Sequence, residues 1–253
     1  EVLFDEFMDG SRTLGGAPFN VAWNLQAFGA NPLFISSVGN DESGAQIQAA
    51  MNAHGMDMQG LQVNGAHPTG LVRVALLDDE PSYDIVADCA YDHIAARQLP
   101  GVKSREVGLV YHGTLALRSE PSAQALDALL RKTRAPSFVD VNLRKPWYEP
   151  KHVMQLLQQS RWCKINEAEL FELASEDEGL GCDAVAGHLA GRFSNTLIVT
   201  RGEQGAVAVT EDGGRFDIRP PAGADVVDTV GAGDAFCSVL ILGVLRDWDL
   251  NTI

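Results

Sequence analysis

The sequence is poor in cysteine and has no long apolar run. No stretch approaches the roughly 20 apolar residues that a membrane-spanning helix needs. The 4 cysteines are widely spaced and form no C-x-x-C pair, and the 6 histidines form no H-x-H or H-x-x-x-H pattern. These absences argue against a disulfide framework and a zinc site. Because no secretory signal pattern opens the sequence either, they predict a protein of the reducing cytoplasm.

Basic residues are also scarce. Lysine and arginine number 19 against 34 aspartate and glutamate, which gives a formal net charge of −15. This excess of acid disfavours nucleic acids and anionic membranes as partners, because both bind basic surfaces. Apolar residues make up 45% and charged residues 21% of the chain, as in globular domains. The length of 253 residues allows one large α/β domain or two small ones.

Short apolar runs rich in β-branched residues alternate along the chain with segments of helical period. The predicted strands are Leu33–Val38, Gly108–His112, Ser137–Val141, Trp162–Ile165, Leu197–Thr200 and Ala206–Val209. The predicted helices are Phe19–Phe28, Glu167–Ala174 and two that begin at Ser119-Glu120-Pro121 and at Pro150. This alternation predicts an α/β fold with a mostly parallel central sheet and helices on both faces.

The segment Gly60–Ala90 departs from this alternation. Thr69–Leu77 is predicted to be a strand, residues 78–81 are a turn cluster, and Ser82–Val86 alternates again. We therefore predict one α/β domain over residues 1–253, with a small β hairpin inserted between about residues 60 and 90. A hairpin beside a ligand site often acts as a lid that excludes water. The alternative is a surface hairpin without such a role.

The strongest local signal is the string DTVGAGDAF at residues 228–236. Gly231, Ala232 and Gly233 predict a turn of small residues that leads into an apolar helix. An anion is able to approach the backbone N–H groups at such a helix start. Asp234 then lies in the first helical turn, where a carboxylate suits a general base for a hydroxyl that attacks phosphate. The alternative is a plain helix start with a carboxylate that favours the helix dipole.

A second string, GGAPFNVA, occupies residues 15–22. Gly15 and Gly16 permit a tight turn, Pro18 suits a helix start, and Asn20 projects from the first helical turn. An amide beside bare glycine backbone donates and accepts hydrogen bonds, as a polyol such as a sugar requires. The alternative is a glycine turn before a helix. The sequence has neither a Walker A string nor a Rossmann glycine fingerprint after a strand.

Together the two strings resemble the pfkB (ribokinase-like) family of carbohydrate kinases, in its fructokinase-like branch. Their order and spacing match the family, and the resemblance covers essentially the whole chain. Further matching segments are Asp140–Arg144, Asn166–Glu169 and Thr200–Ala206. Residues 1–5 resemble the family's first strand, which ends in an acidic residue. The resemblance implies that a sugar hydroxyl, deprotonated by Asp234, attacks the γ-phosphorus of ATP.

The resemblance also implies roles for single residues. The implied catalytic residues are the base Asp234 and an anion hole formed by Gly231, Ala232 and Gly233. The implied sugar-binding residues are Asp5, Gly15, Gly16, Asn20 and Arg144. The implied nucleotide-binding residues are Asn166, Thr200 and Gly202. The implied metal-binding residues are Glu169 for Mg²⁺ through water and Asp228 for an activating K⁺.

Local geometry offers a plainer account of several of these residues. Asn166 and Glu169 also have the spacing of a helix capping box. Thr200 with Gly202 fits an exit from a strand into a turn. Arg144 fits a solvated surface charge.

The substrate is predicted from the same resemblance. Ala17-Pro18 stands where several phosphosugar and ribose kinases of the family carry Lys-Gly, so a cation for a substrate phosphate is missing there. We expect an unphosphorylated sugar, with fructose first. A keto-deoxy sugar acid, a nucleoside, an amino sugar and a non-catalytic sensing relative remain alternatives. The expected cofactors are ATP, Mg²⁺ and K⁺, and the expected assembly is a homodimer. Both chain ends are shorter than in the family, so we expect a trimmed or truncated chain.

Overall fold

The computed structural model describes residues 1–77, 80–102, 106–174, 179–220, 231–250 and 252. The strands are β1 Leu3–Phe7, β2 Arg12–Gly15, β3 Ser36–Gly39, β4 Leu61–Asn64, β5 Gly70–Leu77, β6 Glu80–Ile85, β7 Val110–His112, β8 Ser137–Asp140, β9 Trp162–Asn166, β10 Thr196–Thr200, β11 Ala206–Val209 and β12 Arg215–Ile218. The α-helices are α1 Ala17–Ala27, α2 Glu42–Ala53, α3 Glu120–Thr133, α4 Pro150–Gln159, α5 Glu167–Leu173, α6 Cys182–Phe193 and α7 Ala232–Leu245.

The chain forms two compact units. The first unit comprises Glu1–Lys103, Ala116–Thr133 and Gly231–Ser238, and the second comprises the remaining segments. The site predictions divide between the units: Gly15, Gly16 and Asn20 belong to the first unit together with Gly231–Asp234.

The first unit is built around a four-stranded sheet of order β2-β1-β5-β6. Strand β1 pairs antiparallel with β2 and parallel with β5, and β5 pairs antiparallel with β6. A separate parallel pair joins β3 to β4. The core of this unit includes Val2, Phe19, Ile47 and Met51, each at most 2% exposed. The β5–β6 pairing confirms the predicted hairpin strands, and it makes the hairpin part of the sheet that carries β1.

The second unit contains a six-stranded sheet of order β12-β11-β10-β9-β8-β7. Strands β7 to β10 are parallel, whereas β11 and β12 add to the edge as an antiparallel hairpin. Val139 of β8, Ile165 of β9 and Val199 of β10 are fully buried in the core of this unit. Buried apolar residues of this kind are typical of parallel strands that are covered on both faces.

The predicted α/β fold is confirmed, and several boundaries are corrected. Strand β1 does not end at Asp5 but continues to Phe7, because β2 and β5 both pair with it beyond Asp5. Strand β3 begins at Ser36, three residues after the predicted Leu33. The parallel strands lie in more than one sheet, since the β3–β4 pair is separate from the six-stranded sheet.

Candidate active site

The first turns of helices α1 and α7 meet through a side-chain hydrogen bond in the first unit. The Asn20 amide Nδ2 donates to Asp234 Oδ2 at 2.7 Å. Both side chains are partly buried. A hydrogen bond to an ionised carboxylate is shorter and stronger than a neutral one. The residues that the sequence singled out in two distant strings are therefore direct neighbours.

A second contact, one helical turn further along both helices, repeats this arrangement. The Asn24 amide donates to the Ser238 hydroxyl at 3.2 Å, and that hydroxyl donates to the Asp234 backbone carbonyl at 2.6 Å. Ser238 is fully buried. Residues four apart on a helix share a face, so this contact fixes how α1 packs against α7 beside Asp234. Asn24 and Ser238 carry no motif of their own in the sequence, although each lies four residues after a predicted site residue, Asn20 or Asp234.

The glycine pair before α1 lies close to neighbouring groups, which are backbone at Gly16 and the Asp5 side chain at Gly15. Gly16 has a φ of +105°, and a Cβ there would lie 2.8 Å from the Glu1 carbonyl oxygen. A Cβ on Gly15 would lie 2.7 Å from Asp5 Oδ2. Both distances are shorter than any real Cβ contact, so the Asp5 carboxylate is held against bare backbone. Asp5, Gly15, Gly16 and Asn20 thus all surround the start of α1.

The start of α7 is open in the way that an anion site requires. Gly231 has a φ of +75°, and its carbonyl accepts the Ala235 N–H at 2.9 Å. The N–H groups of the first helical residues, Ala232 and Gly233, have no acceptor within the helix. Gly231 and Ala232 are exposed. A negative group is able to approach these donors along the positive end of a helix of 14 residues.

Three predicted residues of the second unit lie at or just beyond the carboxyl edge of its parallel strands: Asn166, Thr200 and Gly202. Asn166 ends β9 and Thr200 ends β10, and the two are paired in the sheet register. Gly202 follows with a φ of +56° and opens a single turn, Gly202–Gln204. Ligands of open α/β sheets bind at this edge, beyond the strand ends. The structure therefore brings Asn166, Thr200 and Gly202 together, and their local geometry is also that of a strand exit.

Asn166 and Glu169 form the capping box that their spacing indicated. Asn166 Oδ1 accepts the Glu169 N–H at 2.9 Å, and Glu169 Oε2 accepts the Asn166 N–H at 3.0 Å. The other carboxylate oxygen, Oε1, accepts the Leu143 N–H at 2.7 Å. Burial raises the pKa of Glu169, and the hydrogen bonds from Asn166 and Leu143 oppose that shift. Each oxygen keeps one lone pair, so this carboxylate is able to accept a hydrogen bond from a metal-bound water.

A buried ion pair beside Glu169 was not identified from the sequence. Lys164 Nζ lies 2.9 Å from Asp140 Oδ1, and the side chains are 10% and 2% exposed. The Asp140 carboxylate of β8 is thus paired with a lysine of the neighbouring strand β9. Arg144 is exposed, and it makes no ion pair within the described residues. Asp228 lies outside the described residues, so its predicted role stays a prediction.

Known proteins resemble this chain in sequence and in fold. The family model of the pfkB family carbohydrate kinases matches residues 4–253. The chain belongs to this family, and it is therefore a carbohydrate kinase. Curated relatives include the fructokinase of Escherichia coli, 32% identical over 91% of this chain and 76% of that protein. They also include the aminoimidazole riboside kinase of Salmonella typhimurium, 28% identical over 93% of this chain and 75% of that protein.

Solved structures share the fold over nearly the whole chain. Fructokinase from Vibrio cholerae, solved with fructose, ADP and calcium, superposes with a TM-score of 0.85 at 23% identity and covers 100% of this chain and 84% of its own. An uncharacterised sugar kinase from Pyrococcus horikoshii, solved with ATP, gives 0.81 at 26% identity and covers 97% and 83%. Among the described residues, no helix has the length and apolar character needed to cross a membrane.

Proposed function

We propose that this kinase transfers the γ-phosphoryl group of ATP to a hydroxyl of an unphosphorylated sugar, with fructose as the first candidate. Asp234 accepts the proton of the attacking hydroxyl, and the backbone N–H groups at Gly231, Ala232 and Gly233 receive the charge of the transferred group. Catalysis of this kind needs mainly positioning and electrostatic stabilisation. It fits an acidic chain, because a helix start and a metal ion neutralise the phosphates without a basic patch.

The observation that carries the proposal is the hydrogen bond between Asn20 and Asp234. It supports a single site for the candidate sugar-binding residue and the candidate base, since both lie in one compact unit. Asp5, held against Gly15, and the amide of Asn20 supply the acceptors and donors that sugar hydroxyls need. A hydroxyl bound between them would lie within reach of the Asp234 carboxylate, as general-base catalysis requires.

The nucleotide is proposed to use the residues at the carboxyl edge of the second unit's sheet. Asn166, Thr200 and Gly202 offer polar side chains and open backbone there, and Arg144 offers an exposed cation for a phosphate. Glu169 suits Mg²⁺ in a water-mediated role, since both of its oxygens already accept backbone N–H groups. Mg²⁺ commonly keeps several of its waters. It would neutralise phosphate charge, and Asp228 remains the proposed contact for K⁺.

Fructose is favoured over sugar phosphates because the start of α1 carries no cation. Ala17 and Pro18 occupy the first two helical positions. The E. coli fructokinase relative is consistent with a neutral hexose. The aminoimidazole riboside kinase relative makes a nucleoside the second candidate. If Arg144 clamped a substrate phosphate instead of ATP, a sugar phosphate would become the better substrate.

A coupled assay of ADP release across a substrate panel tests the proposal. The panel contains fructose, glucose, ribose, fructose 1- and 6-phosphate, a keto-deoxy sugar acid, glucosamine and aminoimidazole riboside, each with Mg²⁺ and with or without K⁺. We expect fructose to give the highest kcat/KM. A clearly higher value for a sugar phosphate would refute the substrate assignment. ATP and sugar binding without turnover of any compound would favour the non-catalytic relative.

The β5–β6 hairpin is proposed as the lid of this site. Its strand β5 is the direct neighbour of β1, with Val72 opposite Asp5, which supports a position near the proposed sugar. Hydrogen exchange at β6 should slow when fructose binds, because a closed lid is protected from solvent. Unchanged exchange at saturating fructose would argue against a lid. The single-domain organisation, the homodimer and the cytoplasmic location stay predictions.

A further inference from the structure

Three metal-binding side chains converge at the base of the β5–β6 hairpin. His67 lies three residues before β5, Asp88 lies three residues after β6, and His93 ends the short 3₁₀ helix Ala90–His93. The ligand atoms of all three side chains lie within 4.8 Å of one another. None of these residues belongs to the kinase site described above.

The distances suit a single ion. Asp88 Oδ1 lies 3.3 Å from His67 Nδ1 and 2.7 Å from His93 Nε2. Tetrahedral Zn²⁺ with bonds of about 2.0–2.2 Å separates its ligand atoms by about 3.3–3.5 Å. The distance between Asp88 and His67 already matches this separation. The distance between Asp88 and His93 would have to increase by less than about 1 Å. The two imidazole rings stack with centroids 3.5 Å apart and an interplanar angle of 14°, so one ring would rotate for the nitrogens of both rings to point at one ion.

The ligands are supported by neighbouring structure. The Asn64 side-chain oxygen accepts the backbone N–H of His67 at 3.1 Å, which fixes the loop before β5. Asp92, the residue before His93, is buried and accepts hydrogen bonds from Arg118 at 2.8 Å on each carboxylate oxygen. The His67 and His93 side chains are about three-quarters buried, whereas Asp88 is open to solvent. Supported ligands with one open side are what a bound ion and its waters require.

We propose that His67, Asp88 and His93 form a site for a divalent transition-metal ion such as Zn²⁺. Two imidazoles and one carboxylate favour Zn²⁺, Co²⁺, Ni²⁺ or Cu²⁺ over Mg²⁺, which prefers oxygen ligands. Without an ion, one oxygen of the Asp88 carboxylate contacts both histidine side chains. A bound cation would instead contact all three side chains at once. The bound ion would join the chain entering β5 to the chain leaving β6 and thereby clamp the hairpin base.

Cobalt binding to metal-stripped protein tests the site directly. Co²⁺ is added without nucleotide and with excess Mg²⁺, and its visible absorption is followed. We expect one Co²⁺ per chain with a dissociation constant in the micromolar range or below, displaced by Zn²⁺ but not by Mg²⁺. His67→Ala and His93→Ala should each weaken binding by at least about tenfold, the least that loss of even an outer partner of a metal site costs. The control His152→Ala, on the exposed face of α4, should bind as the unsubstituted protein does.

Nuclear magnetic resonance of the unsubstituted protein provides a test that needs no variant to fold. Zn²⁺ should shift the Nδ1 resonance of His67 and the Nε2 resonance of His93, and leave those of His152 unchanged. Binding only at millimolar Co²⁺, binding that both histidine variants retain, or unchanged His67 and His93 resonances would each overturn the proposal.

Discussion

The Asn20 amide donates a hydrogen bond of 2.7 Å to the Asp234 carboxylate across 214 positions of sequence. Each residue lies in the first turn of its helix, and each helix is preceded by a glycine with positive φ, Gly16 or Gly231. The two helix starts thereby bring the proposed sugar-binding amide and the proposed general base into one compact unit.

Asp234→Asn should fold normally and keep sugar binding but lose phosphoryl transfer by about 10²–10⁴-fold. The amide fills the same space but cannot accept the proton of the sugar hydroxyl. The measurement is kcat from ADP release, with circular dichroism and calorimetric sugar binding as checks on the fold. Asp9→Asn, at an exposed turn, is the matched control and should retain turnover. Comparable turnover in the Asp234 variant would remove this residue from the base role.

Asn20→Ala and Asn24→Ala should separate chemistry from packing. Asn20→Ala removes the hydrogen bond to Asp234, and hydrogen bonds to charged groups contribute roughly 1.5–3 kcal/mol. We expect its kcat/KM for the sugar to fall by about tenfold or more. Asn24→Ala removes only the donor to buried Ser238 and should lower the free energy of unfolding by about 1 kcal/mol, with kcat close to that of the unsubstituted protein. Equal kinetic losses in both variants would show that Asn20 acts only through helix packing.

Substitution of Asn166 should distinguish its capping role from a nucleotide role. Asn166→Ala removes the acceptor for the Glu169 N–H and should cost about 1 kcal/mol of stability. Asn166→Asp retains a good cap, so its stability should stay within about 0.5 kcal/mol. Its added negative charge should nevertheless raise KM for ATP if the side chain lies beside the phosphates. An unchanged KM for ATP in the Asp variant would leave Asn166 with the cap alone.

The Arg118–Asp92 pair should contribute far more to stability than a similar pair on the surface. Its side chains are only 6% and 5% exposed, so Arg118→Met leaves a carboxylate buried without its main partner. We expect a loss of about 3–5 kcal/mol in the free energy of unfolding. Arg131→Met breaks an exposed pair with Asp127 on α3 and should cost at most about 0.5 kcal/mol. Urea unfolding measures both values, and similar losses would contradict the argument from burial.

Stability should fall below neutral pH because of His112. Burial lowers the pKa of His112 to about 4 from an ordinary value of 6.5. Between these values the unfolded chain binds a proton that the folded protein excludes, so the free energy of unfolding falls as pH decreases from about 6.5 to about 4. Above about pH 6.5 the residue adds no pH dependence.

The loss attributable to His112 is on the order of 3 kcal/mol over this range. His112→Asn, which keeps a side-chain donor for the Gly113 carbonyl, should flatten that part of the profile. Urea unfolding of both proteins from pH 8 to pH 4 provides the comparison, with pH 8 as the baseline. Parallel profiles would show that His112 is not the group that titrates.

The sequence by itself determined the family, the α/β alternation and the places of both glycine turns. These features are local. Apolar runs predict strands, and the backbone before α1 and α7 has a positive φ that favours glycine, at positions 16 and 231. Two helices escaped this reasoning for local reasons too. Helix α2 buries only Gly44, Ile47 and Met51, and α6 contains Gly187 and Gly191, so neither shows a strong apolar stripe.

Tertiary structure alone decided which distant residues meet. Strand order placed β5 beside β1. Helix packing brought Asn20 to Asp234, and the fold of the hairpin base brought His67 to His93. No local pattern encodes these neighbours, because they depend on strand order and helix packing across many intervening residues. Glu169 shows both kinds of feature. Its spacing from Asn166 indicated a helix cap from the sequence alone. The hydrogen bond that its second carboxylate oxygen accepts from the Leu143 N–H depends on the loop that follows β8 in the folded chain.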